Sequence, residues 1–145
     1  MGQYNFKEYD PEKHDAYKAL SVKQPYAGYI ANGEKTIEFR SKPTTYRGQL
    51  LICASKSGQP EKGAPGYGCA LAIVYLYDCK HTSMLTEEEW KQTKLPPHSV
   101  NGYAWFIRLG RKVNPKPVRG QLGIFNLIYT KGEIYQPSTE IKLKR

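Results

Sequence analysis

The sequence predicts an α+β domain built as a small mixed β-barrel, closed or nearly closed, with short helices in its connections. Several short segments are apolar at consecutive positions, which is typical of strands buried on both faces. Only two segments carry helix signals, and they do not alternate with strands as they would in a parallel sheet. The chain has 145 residues, which is enough for one domain that buries most of its apolar surface.

The first half of the chain is predicted to contain three strands and one helix. Residues 1–18 are polar and are expected to form an N-terminal extension outside the domain. A helix begins at Pro25, because proline suits a first helical turn and apolar residues follow at helical spacing. Gly33 ends this helix, since glycine tolerates the left-handed backbone found after a helix. The three strands are residues 19–22, 35–40 and 48–54.

The second half is predicted to add two strands and a second helix. Residues 57–68 are rich in glycine and proline and form a surface loop. Thr86 and Glu89 have the spacing of a capping box, which opens the second helix. The strands are residues 69–77 and 103–107, and residues 122–127 form a short helix or a strand. The domain therefore spans residues 19–127, and residues 128–145 form a basic tail that can supply an edge strand.

The charge and the tyrosine content favour a polyanionic partner. The net charge is +9, and one stretch without acidic residues carries five cations. Twelve tyrosines are present, and aromatic side chains hold the bases of single-stranded nucleic acids by stacking. RNA or another single-stranded nucleic acid, or a nucleotide, is the predicted partner, although basic domains can also use tyrosine in their cores. The five cations are Arg108, Arg111, Lys112, Lys116 and Arg119.

Cysteine and histidine usage predicts a cytoplasmic protein without a metal site. The three cysteines, Cys53, Cys69 and Cys79, are odd in number and lack CxxC spacing, so buried reduced thiols are expected. The three histidines are scattered without ligand spacing, and no metal or other cofactor is predicted. No apolar run reaches the length of a membrane span, and the polar N-terminus does not read as a signal peptide.

The octet of residues 33–40 is the most informative segment, with Lys23 and Gln24 just ahead of it. In a half-buried strand alternate side chains share a face, so Glu38 and Arg40 should point one way and Ile37 and Phe39 into a core. A carboxylate flanked by Lys35 and Arg40 predicts a site for a polar ligand. The alternative is a strand face whose opposite charges pair with each other.

Six segments also resemble a known family in order and spacing: residues 19–25, 33–40, 46–48, 54–56, 103–105 and 117–125. With its Gly-x-Lys-x-x-Glu-x-Arg element at residues 33–40, the chain resembles the ASCH domain. The resemblance implies a PUA-like fold, a small barrel with a cleft beside it. It also implies RNA-related work, and some members have ribonuclease or small amidohydrolase activity. The implied cleft residues are Lys23, Gln24, Lys35, Glu38, Arg40, Ser55 and Lys56, with Tyr26 and the Tyr103–Trp105 segment nearby.

Three classes of function follow. The first is an RNA or nucleotide-binding domain in which a single phosphate track joins Lys23 and Lys35 to the basic stretch, including Arg111, Lys112 and Lys116. The second is an enzyme acting on RNA or a modified nucleoside, with Lys35 and Glu38 as the catalytic candidates. The amidohydrolase members carry Lys-x-x-Thr where this chain has glutamate, which counts against that activity. The third is a protein-interaction domain with an incidental basic face.

Overall fold

The protein, described here from a computed structural model over residues 6–58 and 66–135, is mostly β-sheet with two short α-helices. Pro25 precedes α1, and Thr86 caps α2 in a complete capping box with Glu89, so both predicted helices are confirmed. Neither helix in this part of the chain has the length and apolar character needed to cross a membrane. The elements are β1 (His14–Gln24), α1 (Tyr26–Ala31), β2 (Ile37–Arg40), β3 (Gly48–Gly58), β4 (Cys69–His81), α2 (Glu87–Gln92), β5 (Tyr103–Lys112) and β6 (Ile124–Thr130).

The described strands form a single open sheet in the order β2-β5-β4-β3-β1-β6. Only β1 and β3 run parallel, and the other neighbouring pairs are antiparallel. The two edge strands, β2 and β6, are not paired with each other, so the predicted barrel is corrected to an unclosed sheet. Strand β2 nevertheless approaches β1 just beyond the residues that pair with β6, because Arg40 of β2 donates a hydrogen bond to the carbonyl oxygen of Ser21 in β1 (2.6 Å). A side chain thus bridges the seam where a barrel would have backbone hydrogen bonds.

Strand β1 is longer than the sequence predicts. It begins at His14, five residues before the predicted start of the domain, because residues 14–20 pair with residues 124–130 of β6. Most side chains at the start of β1 are exposed or half-buried, so the polar sequence there did not indicate a strand. Of residues 122–127, predicted as a helix or a strand, residues 124–127 belong to β6, and the first two lie in the loop before it. Most of the predicted loop at 57–68 and the tail beyond residue 135 lie outside the described residues.

The two faces of the sheet pack differently. On the inner face, α1 packs on alternate residues of β1, β3, β4 and β5, with Leu20, Ile52 and Trp105 among them. The outer face carries two separate clusters. One includes Cys53 and Phe125 and lies over β1, β3 and β6. The other gathers Trp90 of α2 with residues of β2 and β5, namely Ile37, Ala104 and Phe106. Between the two clusters, the outer face of β4 and β5 carries exposed side chains.

Candidate nucleic-acid interface

A chain of three charged side chains on β2 and the turn before it forms the centre of the predicted site. Glu38 lies between two cations, with Oε1 3.6 Å from Lys35 Nζ and Oε2 3.2 Å from Arg40 Nε. Glu38 and Arg40 share the inner face of β2 while Ile37 is buried on the outer face, as the predicted alternation requires. Phe39, also predicted to point into a core, is only half-buried and belongs to none of the three apolar clusters. The three charged residues are therefore brought together as the sequence indicates.

Lys35 is a buried lysine rather than an exposed cation. Its side chain is only 2% exposed, and Nζ donates hydrogen bonds to the carbonyl oxygens of Ile37 (2.8 Å) and Thr93. The ring of Tyr26 lies beside it, with Nζ 5.2 Å from the ring centroid. Burial lowers the pKa of Lys35 from its ordinary value of 10.5, although Glu38 acts in the opposite direction. Lys35 thus contributes no exposed cation to a phosphate track, which corrects that part of the prediction.

Arg40 crosses the seam between β2 and β1. Glu38 and the Ser21 carbonyl hold its guanidinium, which lies 6.0 Å from the ring centroid of Trp105. Trp105 is buried and its indole N–H donates to the carbonyl of Lys42 (3.0 Å), so it belongs to the core, as its strand position predicts. Arg40 remains about one quarter exposed, so its position is fixed while part of the guanidinium stays accessible.

Two adjoining grooves open at the seam. The seam groove has a volume of about 600 Å³ and is lined by Arg40, Ser41, Lys42, Pro43, Thr44, Trp105, Leu122, Gly123 and Ile124. The serine groove has a volume of about 460 Å³ and is lined by Ser21, Ala54, Ser55, Lys56, Gly68, Val118, Arg119, Gly120, Gln121 and Leu122. Leu122 borders both grooves and is 98% exposed. Within the described residues, the two linings contain four cationic side chains and no carboxylate.

The remaining predicted site residues are divided among several places. Gln24 is buried, and its side chain accepts from the N–H of Gly28 (2.9 Å) and donates to the carbonyl of Gly66 (3.2 Å). Lys23 is exposed on β1 and lines neither groove, whereas Ser55 and Lys56 line the serine groove. Gln24 therefore stabilises the start of α1, and Lys23 stands apart from the grooves.

Most of the basic stretch does not join this site. Arg108 contacts Tyr75 and Tyr77 on the outer face, and Arg111 contacts Tyr135. The single phosphate track predicted through Lys35 is therefore corrected to two separate basic regions. Lys112 is exposed at the end of β5 and Lys116 is half-buried beyond it, and neither lines a groove. Of the five cations in the stretch, only Arg119 lines one of the two grooves, and that groove is the serine groove.

Sequence reasoning missed three residues of the grooves that matter for the site, namely Lys42, Gln121 and Leu122. Lys42 follows directly after β2, so its place next to the charged octet is a signal that could have identified it. Leu122 carries no comparable signal, because an apolar residue just before a strand is predicted to be buried. Its exposure is known only from the way the loop before β6 projects between the grooves.

Comparisons with known proteins agree on the fold. The model of the ASCH domain family matches residues 20–117. The crystal structure of ASCH from Zymomonas mobilis is similar over 87% of this chain and 94% of that chain, with a TM-score of 0.57 and 16% identity. A tyrosine-to-phenylalanine mutant of that protein covers 87% and 96%, with a TM-score of 0.56 and 15% identity. A search of the curated proteins finds no match.

Proposed function

The chain belongs to the ASCH domain family, and from that premise we propose that it binds single-stranded RNA, or a nucleotide, in the seam and serine grooves. RNA binding is generally proposed for this family. The proposal concerns this chain's own grooves, and it is carried by one observation, the charge of their linings. We also propose a cytosolic location, because its three cysteines are free thiols.

The groove linings suit an anionic ligand with a flat, polar ring. Arg40, Lys42, Lys56 and Arg119 line the two grooves, and no carboxylate lines them within the described chain. Each volume lies in the range of about 300–1,000 Å³ that is typical of small-ligand sites. An anion entering either groove meets cations without meeting a repelling carboxylate.

The buried charges beneath the groove explain why Arg40 is well placed to meet a base or a phosphate. Glu38 forms an ion pair with the guanidinium, and the Ser21 carbonyl accepts a hydrogen bond from Nη2, so the guanidinium loses little rotamer freedom when a ligand arrives. The guanidinium N–H groups that do not contact Glu38 or Ser21 can bind a phosphate, and the guanidinium plane can stack on a base. In this proposal Lys35 and Glu38 act as supports that fix Arg40.

The polar residues of the serine groove supply the contacts that distinguish one base from another. Ser55 carries a hydroxyl, and Gln121 carries an amide that can both donate and accept hydrogen bonds. Leu122, at the border of both grooves, offers an apolar surface against which a base can pack. The combination of cations, hydrogen-bonding groups and one apolar side chain is suited to an unpaired nucleotide.

The experiment measures the salt dependence of RNA binding. Fluorescently labelled single-stranded RNA of mixed sequence is titrated with the wild type and with a Lys42→Gln, Lys56→Gln double variant, and anisotropy is read at several salt concentrations. Removing two phosphate contacts should lower the slope of log K against log salt by about 1.4, at about 0.7 per contact for a single strand. The matched control is Lys91→Gln with Lys94→Gln, which removes the same charge from two exposed lysines that line neither groove.

The control decides between groove binding and general attraction to a basic protein. If both double variants lose the same slope and affinity, the grooves have no special role and the proposal is wrong. Thermal melting of each variant confirms that the folded fraction is unchanged. A protein that is folded but retains no RNA at low salt would equally contradict the proposal and would favour a protein-interaction domain.

Catalysis is a second candidate, favoured by the buried Lys35. Its lowered pKa brings a neutral amine closer to physiological pH, and Glu38 Oε1 lies 3.6 Å away. These two groups could perform acid–base chemistry on RNA or a modified nucleoside. Incubation with an RNA pool and a panel of modified nucleosides, followed by product analysis, tests this function. Turnover that is lost in Lys35→Met at unchanged RNA affinity would support it, and the absence of any product would exclude it.

A further inference from the structure

The outer face of β4 and β5 presents large aromatic side chains that no other element covers in the described chain. Tyr75 and Tyr77 are alternate residues of β4, and they are 38% and 50% exposed. They lie between the two apolar clusters of the outer face, one over β1, β3 and β6 and the other beneath α2. Exposed tyrosines that share one sheet face form a flat apolar surface with polar edges.

Arginines are interleaved with these tyrosines. Arg108, on the neighbouring strand β5, lies 5.9 Å from the ring centroid of Tyr75 and 5.5 Å from that of Tyr77. Arg111 lies 4.0 Å from the ring of Tyr135, which is 41% exposed. Within the described residues Arg108 makes no ion pair, so its charge is held by the two rings and is not neutralised by a carboxylate. Cations fixed on aromatic faces in this way are pre-positioned for an anion.

A cavity continues this surface. It has a volume of about 670 Å³, and four tyrosines line it together with Arg111 and other side chains. The acidic residue of its lining, Asp15, lies 3.8 Å from Lys131, so that carboxylate already has a cation partner. The four tyrosines of the lining are Tyr9, Tyr17, Tyr75 and Tyr135.

We propose that this tyrosine–arginine strip, comprising Tyr75, Tyr77, Arg108, Arg111 and Tyr135, is a second binding surface for single-stranded RNA, separate from the seam. Tyr75 and Tyr77 are about 7 Å apart along β4, so their rings can stack on two bases of an extended strand. The arginines between the rings bind the phosphates that link those bases. Aromatic residues exposed on a sheet face are an established platform for unpaired bases, because every base has a π-face.

The strip is a surface separate from the seam groove and the serine groove. Its arginines are on the outer face of β5, whereas Trp105 of the same strand lies in the inner core and lines the seam groove. The five basic residues that the sequence groups into one stretch are thus separated. Arg108 and Arg111 belong to the strip, whereas Arg119 lines the serine groove. Lys112 and Lys116 belong to neither surface. The function proposed for the grooves can fail while this surface binds RNA, and the reverse can also occur.

The test replaces the rings and keeps a matched control that preserves them. In the double variant Tyr75→Leu, Tyr77→Leu, the affinity for labelled single-stranded RNA should fall by at least about fivefold, the lower end of the effect of losing one stacked base. The double variant Tyr75→Phe, Tyr77→Phe keeps both rings and should bind as the wild type does. Arg108→Gln should lower the salt slope by about 0.7, and Lys91→Gln should leave it unchanged. Photocrosslinking with 4-thiouridine RNA should label β4 peptides.

Each outcome of this test decides the proposal. Wild-type affinity in the leucine variant, with crosslinks confined to groove peptides, would overturn the strip and leave the groove proposal intact. Loss of affinity in the leucine variant but not in Lys42→Gln, Lys56→Gln would support the strip and contradict the grooves. Equal loss in the phenylalanine variant would rule out ring stacking. Self-association in sedimentation that the leucine variant abolishes, without RNA binding, would assign the strip to a second copy of the chain and refute the proposal.

Discussion

Replacing Glu38 by glutamine tests whether the buried charges at the seam act as a unit. The change keeps the size of the side chain but removes the charge that lies 3.6 Å from Lys35 and 3.2 Å from Arg40. At an effective dielectric constant of 20 each attraction is worth about 5 kcal/mol before the cost of desolvation. Removing one partner of a buried pair typically costs about 3–5 kcal/mol, because an uncompensated charge stays buried.

The lower end of that range applies to this site. Lys35 keeps two backbone carbonyl acceptors, and Arg40 keeps the carbonyl of Ser21. We therefore expect the free energy of unfolding to fall by about 3 kcal/mol at pH 7. For a domain of this size the midpoint of thermal unfolding should fall by about 6–12 °C.

The decrease in the free energy of unfolding caused by Glu38→Gln should also depend on pH, and it should be smaller at high pH. Without Glu38 the pKa of Lys35 falls further, because the carboxylate that opposes the effect of burial is gone. The unfolded chain then binds more protons than the folded chain between this lowered pKa and 10.5, so the stability of the variant rises with pH in that window. The deficit relative to the wild type should be smaller at pH 9 than at pH 6.

Urea denaturation of both proteins between pH 6 and pH 9 measures this deficit. The control is Glu88→Gln, which removes a carboxylate 3.7 Å from Lys91 in a pair that is 73% and 77% exposed. That change should cost less than about 1 kcal/mol. If Glu38→Gln costs no more than Glu88→Gln, the three charges do not form a buried network and the reasoning is wrong.

Two further predictions concern the core and the start of β5. Burial raises the pKa of the Cys53 thiol from 9.0 to about 12. Between pH 9 and pH 12 the thiol is therefore deprotonated in the unfolded chain but protonated in the folded chain. The free energy of unfolding falls in this range by about 1.4 kcal/mol per pH unit. Cys53→Ala should reduce the alkaline slope of the free energy of unfolding, obtained from urea denaturation, by that amount, and an unchanged slope would contradict the prediction. Gly102→Ala places a Cβ 2.7 Å from Phe39 Cε1 and 2.8 Å from the Arg40 carbonyl oxygen, and should cost about 1–3 kcal/mol in calorimetry. Gly66→Ala, whose Cβ would have no atom of the described residues within 4 Å, is the control and should melt as the wild type does.

Local signals in the sequence were sufficient for the helices and for β2. A capping box or a proline at a helix start acts within four residues, so α1 and α2 could be predicted without knowing their neighbours. The alternation on β2 is also local, and it correctly placed Glu38 beside Arg40. The ASCH resemblance gave the fold family, which the family model and the solved structures bear out.

Long-range pairing accounts for what could not be predicted. Whether a curved sheet closes depends on the distance between β2 and β6, and no short segment encodes that distance. The burial of Lys35 depends on the carbonyl of Thr93, which is 58 residues away in sequence. The early start of β1 depends in the same way on β6, because exposed polar residues become a strand only when a partner offers hydrogen bonds.

The pairing of β1 with β6 has a consequence for how the protein is made. During synthesis β1 emerges before the strands that pair with it. Its edge on the β6 side stays free until β6 has left the ribosome, because residues 14–20 pair with residues 124–130. Contacts of such long sequence separation form slowly, and an unpaired strand edge favours aggregation in the meantime. Ile124 of β6 also forms one wall of the seam groove. The groove is thus assembled last, so a nascent chain acquires this surface only when its sheet is complete.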